Sequence, residues 1–447
     1  MKRIILPAVV CLVILFGLLL NACASAPAEV AQQPATTVSS EQPSSGGQPV
    51  ELKFFYRVSQ AKMEENYKWL VNTFNERNAG KIHVSDYNVD GDTYKAKINI
   101  ELKSEEPPDV FFSWEGGRAK AIIDAGWSAN LDEYYTKYGW ADNLVPASVN
   151  LATFDGHKYF VPTELGASIV WYLTDIYDKY NLKPPKTWDE LAANAEVLKE
   201  NGVAPFMLAN QKQWPAQFDW SALFVNTYGV EAYNDLINRK IPWTDERVVA
   251  TFDTMKKMMD DGWFYKDANS LDVTPAVIPF GKEETAMWYQ GSFMIGRFRG
   301  DAGPGKFLFP LDFFTYPQIG DQTPTMEVFA EDTLMMHANS QHKDEAAEFL
   351  NFVISTEAQQ QKIEIDKPYA ANKNVDYSAL SDLEKRLAQQ MKDAGDFTFM
   401  HPDHALADQV SQPYLESLQA VLGGAMTSQQ AAETIEKAAS DFQGPVK

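Results

Sequence analysis

The chain has 447 residues, with 61 acidic against 39 basic side chains and a formal charge of −22; 45% of it is apolar, including 26 Phe, 19 Tyr and 11 Trp. That apolar content excludes global disorder, and the length exceeds the roughly 250–300 residues one core serves, so two lobes are expected. The acidic balance speaks against nucleic acid as a partner, and two cysteines, Cys11 and Cys23, leave almost no material for disulfides or cysteine-ligated zinc.

The first element is a targeting segment, residues 1–23. Lys2 and Arg3 form its positive start, residues 4–20 are almost unbroken apolar sequence, and Leu20, Asn21 and Ala22 lead into Cys23. The apolar run is near the lower limit for a spanning helix, about 20 residues. A cysteine closing it, with a polar tract behind, resembles the lipobox of a bacterial lipoprotein signal, although Asn21 is unusual there. Cys23 is then the lipidated new N-terminus, and cleavage removes Lys2, Arg3 and Cys11. Residues 24–50, rich in Ser, Ala, Pro, Gln and Gly, read as a flexible tether.

From residue 52 the pattern changes. Residues 52–58 form a short apolar run like a buried strand, and Ser59 is placed to cap a helix whose Met63, Tyr67, Leu70, Val71 and Phe74 share one face. Asn78, Ala79 and Gly80 end it, and strands are expected at 81–85 and 109–112. Strand and helix in alternation mark a doubly wound α/β lobe. Asp86, Asn88, Asp90 and Asp92 have the spacing of half an EF-hand loop, but the twelfth position is Lys97, where calcium needs a bidentate Glu. An acidic, solvated turn is expected instead.

Thr187 and Glu190 have capping-box spacing ahead of a helix lined by Trp188, Leu191, Ala192, Ala195 and Leu198, stopped at Asn201 and Gly202. Gly300, Gly305 and Lys306 copy P-loop spacing, but Phe307 follows where a Ser or Thr must bind Mg²⁺, and the next residues read as strand. A helix with Ala347, Leu350 and Ile354 inward covers 344–361, and residues 377–442 are helical in character. His401 and His404, separated by Pro402, lack a third metal ligand and read as loop surface.

Four segments carry a family resemblance. Pro108-Asp109-Val110-Phe111 is followed by Ala125-Gly126-Trp127 and Asn130-Leu131-Asp132; Val161-Pro162 precedes Trp171-Tyr172-Leu173-Thr174-Asp175. Pro184-Pro185-Lys186-Thr187-Trp188-Asp189-Glu190-Leu191 is the most specific, and Phe280-Gly281-Lys282 leads through Thr285-Ala286-Met287 to Gly291-Ser292-Phe293. Their order over residues 51–442 resembles the extracellular solute-binding proteins of ABC importers, the group that includes maltose-binding protein. The chain departs from it at Leu173, where the family often has Asn, and at Phe293, where it usually has Trp.

The resemblance implies an α/β, two-lobed periplasmic-binding-protein fold of type II, each lobe a doubly wound sheet flanked by helices, with the ligand cleft between. It divides the chain into lobe 1 (51–162, returning at 328–372) and lobe 2 (163–327, completed by 373–447). It further implies a lipid-anchored monomer outside the bacterial membrane that hands a carbohydrate to the transmembrane subunits of an ABC permease, with no catalytic residue, cofactor or metal. Two alternatives stay open: an extracytoplasmic glycan-acting hydrolase, and a sensor lipoprotein of the same fold.

A sugar asks for aromatic faces against its C–H surface and for acidic or amide groups against its hydroxyls, in loops at strand C-termini. By position the ligand-binding candidates are Arg57 after the first strand, Trp114 and Glu115 after the third, Glu164 at the crossing, and Trp214 in a polar loop. Trp288, Gln290 and Phe293 at the Gly-Ser-Phe turn, and Glu331 with Asp332 before a late strand, complete the set. Trp69, Trp127, Trp171, Trp188 and Trp263 sit on patterned elements and are assigned to the core.

Overall fold

The computed structural model describes residues 48–366, 369–394 and 399–442. The expected targeting segment with Cys23, and most of the tether, lie outside the described residues. Among the described residues no helix is long and apolar enough to cross a membrane.

The strands in chain order are β1 (Val50–Val58), β2 (Ile82–Asp90), β3 (Val110–Ser113), a small hairpin of β4 (Thr153–Phe154) and β5 (His157–Lys158), and β6 (Phe160–Pro162). They continue with β7 (Leu165–Leu173), β8 (Ala204–Met207), β9 (Thr285–Gly291), β10 (Leu311–Phe314), β11 (Val328–Ala330) and β12 (Thr333–Met336). One sheet has the order β2-β1-β3-β12-β6, parallel over its first three strands and antiparallel at β12. The other has the order β10-β7-β9-β8, with β11 on the first half of β7. Each sheet has its own core. Around the first, Phe54 meets Tyr67 and Phe349 edge-on at 5.5 and 5.3 Å. Around the second, Trp171, Phe280 and Trp288 enclose Phe298.

The chain passes from the first sheet to the second between β6 and β7, and returns between β11 and β12. The crossings are bonded to one another: Thr163 N donates to Asp332 O (2.8 Å), and Glu331 N to Glu164 O (3.2 Å). Glu164 also bridges to Ala370, on the last passage between the lobes. Because β11 still pairs with β7, the return falls after Ala330, later than the sequence suggests.

Three local expectations differ from the structure. The first helix, Ala61–Arg77, is preceded by Gln60 with no side-chain cap, and the Ser59 hydroxyl turns to Met63 Sδ. β2 runs on to Asp90, because β1 offers it a continuous parallel partner, so Asp86 and Asn88 lie in a strand instead of a turn. Asp90 then caps the helix Gly91–Glu101, accepting from the N–H groups of Asp92 and Thr93. Thr187 does cap Glu190 N, but the Glu190 carboxylate accepts from Lys186 N, so the reciprocal arm lands one residue early.

Candidate functional site

The C-terminal ends of β1 and β3 face the second lobe, and between them lies a cavity of about 360 Å³. The first lobe contributes Arg57 near the end of β1, Trp114 after β3, and the start of the helix Gly91–Glu101 with its cap Asp90. The second contributes Trp214, Phe218 and Phe293, an aromatic trio with ring centroids 5.9–6.1 Å apart. Trp114 is embedded in cations: Arg57, Lys95 and Arg118 lie 5.4, 5.4 and 5.3 Å from its ring.

Most charges in the wall are paired. Arg57 Nη2 donates to Asp332 Oδ1 (2.7 Å). Lys95 and Arg118 both hold Asp403, at 2.9 and 2.5 Å. Burial alone would raise the Asp403 carboxyl, but those two cations outweigh it and keep it well below the usual range. Lys212 reaches Asp92 at 2.8 Å across the mouth, joining the lobes. Arg297 differs: its Nε faces Thr274 Oγ1 at 3.4 Å, and burial pulls the guanidinium below its ordinary value.

Two histidines form the floor. His401 engages Glu327 Oε1 through both Nδ1 and its backbone N–H, each at 2.6 Å, while Ser168 donates to Glu327 Oε2. His404 Nδ1 lies 3.0 Å from Glu115 Oε1, and the imidazole centroids are 4.0 Å apart. Both histidines are buried, contrary to the loop-surface expectation, because the carboxylates that receive them come from distant elements.

Arg57, Trp114, Trp214, Phe293 and Glu331 come together at the cavity wall. Glu115 stands behind it, against His404. Glu164 and Asp332 sit at the crossings, where Lys362 Nζ reaches them at 3.1 and 3.5 Å. Trp288 and Gln290 are corrections: both are fully buried and neither lines the cavity. They share one face of β9, with Trp288 against Phe280 and Gln290 Oε1 accepting from Gly291 N. Only beyond the strand end does the chain reach the cleft, at Phe293. Sequence reasoning missed Lys212, Thr274, Arg297 and the pair His401/His404. Arg297 follows the Gly-Ser-Phe turn on the helix Met294–Arg299, and that proximity was the available signal.

The lobes are in contact around this site. A Cβ on Gly117 would meet the Ala405 carbonyl at 2.7 Å, and one on Gly116, at φ +70°, would strike the His404 carbonyl. Two α/β lobes, crossing strands at their junction, and a ligand-sized cavity of aromatic and charged groups define a binding protein of the type II periplasmic class. The chain belongs to the bacterial extracellular solute-binding protein family, which it matches over residues 60–360.

A relative from Pyrococcus horikoshii, an uncharacterized ABC transporter extracellular-binding protein, is 24% identical over 80% of this chain and 78% of its own. The alpha-glucosides-binding periplasmic protein AglE of Rhizobium meliloti is 26% identical over 42% of each chain. Among solved structures, a chitin oligosaccharide binding protein superposes with a TM-score of 0.80 at 21% identity, covering 88% of this chain and 99% of that one. A structure from work on xylan utilization by Caldanaerobius polysaccharolyticus gives 0.77 at 24%, covering 87% and 99%.

Proposed function

We propose that the protein is the substrate-binding subunit of an ABC importer, capturing a carbohydrate between its lobes and delivering it to a membrane permease. The observation that carries this reading is the composition of the cavity wall. Trp114 from one lobe and Trp214, Phe218 and Phe293 from the other give apolar faces, interleaved with Arg57, Glu331 and Arg297 as hydrogen-bonding groups. Aromatic faces match the C–H surface of a sugar ring, and fixed polar groups match its hydroxyls. The names of relatives agree in kind: alpha-glucosides-binding, and xylose/arabinose-binding in Haloferax volcanii.

Capture by closure needs no bond to be made or broken, since a ligand that contacts both lobes selects the closed form. Cys23 is proposed as the lipid anchor that keeps the folded part at the outer membrane-water boundary. The test is a thermal-shift screen of residues 24–447 against mono- and oligosaccharides, followed by mass spectrometry of the recovered ligand. The reading expects a raised Tm with the sugar intact. Cleaved product would overturn it in favour of a hydrolase.

A further inference from the structure

The cleft does not end at the ion pair between Lys212 and Asp92. On its far side a second cavity of about 440 Å³ opens between the helices Gly91–Glu101 and Asp408–Leu422, and it shares Asp92, Lys95 and Lys212 with the first. The partition between them is therefore the pair itself with the Lys95 side chain. Lys212 and Asp92 are 45% and 54% exposed, and exposed pairs of this kind hold weakly.

The chamber's other walls are fixed. Arg118 is tied to Asp403 and Asp408. Gln412 Nε2 donates to Gln213 Oε1 (3.0 Å), Gln213 Nε2 to Gln419 Oε1 (3.1 Å), and Gln419 Nε2 to Asn210 O (2.7 Å). This amide relay holds Gln213 at φ +67°, a left-handed backbone that a residue with a side chain keeps only where its surroundings impose it. Gln213 lies between Lys212 and Trp214, so the strained residue sets one member of the partition and one aromatic face of the first cavity. The first cavity is rich in aromatic rings; the second is lined chiefly by three amides, a guanidinium, two ammonium groups and two carboxylates.

We propose that this chamber is a second carbohydrate subsite, so that the ligand is an oligosaccharide whose further units lie past the Lys212–Asp92 gate. The units in the first cavity stack on Trp114 and Trp214. Those beyond present their hydroxyls to Arg118 and the amides of Gln211 and Gln412. The first cavity stands near the lower end of the roughly 300–1,000 Å³ that ligand sites span, and joining it to the second moves the site well into that range. This inference rests on the carbohydrate reading above.

Isothermal titration of the processed chain with malto-, xylo- and chito-oligosaccharides of increasing length tests it. For whichever series binds, affinity should rise about tenfold or more from the disaccharide to the tetrasaccharide. Ala96 is exposed and lines the second cavity but not the first, so Ala96→Phe fills the chamber without replacing a member of the amide relay. That variant should abolish the gain with length and leave disaccharide affinity within about twofold. A wild-type protein that binds the disaccharide with no gain on lengthening overturns the second subsite and leaves the carbohydrate reading standing. A gain that persists in Ala96→Phe overturns it too, since the extension then runs elsewhere. Failure of every series to bind sinks the carbohydrate reading and this inference together.

Discussion

Glu115 of the first lobe and His404 of the second meet at 3.0 Å, carboxyl oxygen to imidazole nitrogen, with the boundary between the lobes running through the bond. Burial pushes the Glu115 carboxyl well above its ordinary range, and the negative field of Glu327, Glu331 and Asp332 adds to this. Burial, with His401 alongside, pushes the His404 imidazole well below its own. Both shifts favour the uncharged forms, so they favour a neutral hydrogen bond between the lobes, with the Glu115 carboxyl donating to His404 Nδ1.

A pH dependence follows from that proton. Above about pH 4.3 the unfolded chain releases the Glu115 proton while the folded chain keeps it, so stability falls as pH rises through that window. Glu115→Gln keeps a donor there and removes the penalty. Urea titrations should show the variant gaining on the wild type as pH rises from about 4.5, by at most about 1.4 kcal/mol per pH unit. His404 acts at the other side: below about pH 6.5 the unfolded chain gains a proton that the folded one refuses, so acidification destabilises. A difference between Glu115→Gln and wild type that does not change with pH would mean Glu115 is ionised.

Gly117 offers a test of closure. Its φ is ordinary for any residue, but an added Cβ would strike the backbone of Ala405 and Leu406 at 2.7 Å, and backbone cannot swing aside. Gly117→Ala should leave each lobe folded and weaken ligand binding about tenfold or more by blocking the closed form. Small-angle scattering should then show no compaction on adding the ligand. Gly296→Ala is the control: its Cβ would meet only the end of the flexible Gln60 side chain, and closure should persist.

Trp214 and Trp288 should separate binding from stability. Trp214 lines the cavity and is half-buried, so Trp214→Ala should weaken ligand binding by about 1–3 kcal/mol with a modest change in Tm. Trp288 is fully enclosed by Phe280 and Phe298, so Trp288→Phe should lower Tm and leave calorimetric affinity unchanged. Unchanged affinity in Trp214→Ala would remove that ring from the site.

Asp332 anchors the crossing. It accepts from Arg57 and lies within 3.5 Å of Lys362, both cations almost wholly buried. Asp332→Ala should destabilise the chain by about 3–5 kcal/mol in urea, because Arg57 loses its bonded counter-charge inside the protein and Lys362 is left with Glu164 alone. The same change frees Arg57 from its fixed position in the cavity wall, so affinity should fall with stability.

Much of the fold was legible because apolar runs bounded by turn residues fix strands locally, as at β1, β3 and β12. Arg57 and Trp114 reach the cavity wall for the same reason, each standing at the end of such a run. Trp288 and Gln290 were misassigned because a residue or two at a strand end decides whether a side chain faces core or cleft. His401 and His404 were missed for another reason. The groups that bury them, Glu327 and Glu115, lie 74 and 289 positions away in sequence. No local pattern announces such a pairing. Asp86 and Asn88 misled in the opposite direction: their polarity reads as a turn, but pairing with β1 holds them in a strand.

The placement of β12 has a consequence for synthesis. It lies in the middle of the first sheet, between β3 and β6, yet it follows both by way of the entire sheet of the second lobe. A chain leaving the ribosome N-terminus first carries β3 and β6 with nothing between them until residues 333–336 emerge. The first lobe to be made is therefore the one that waits for the second, and β3 and β6 lack their shared neighbour until the second lobe's sheet has been synthesised.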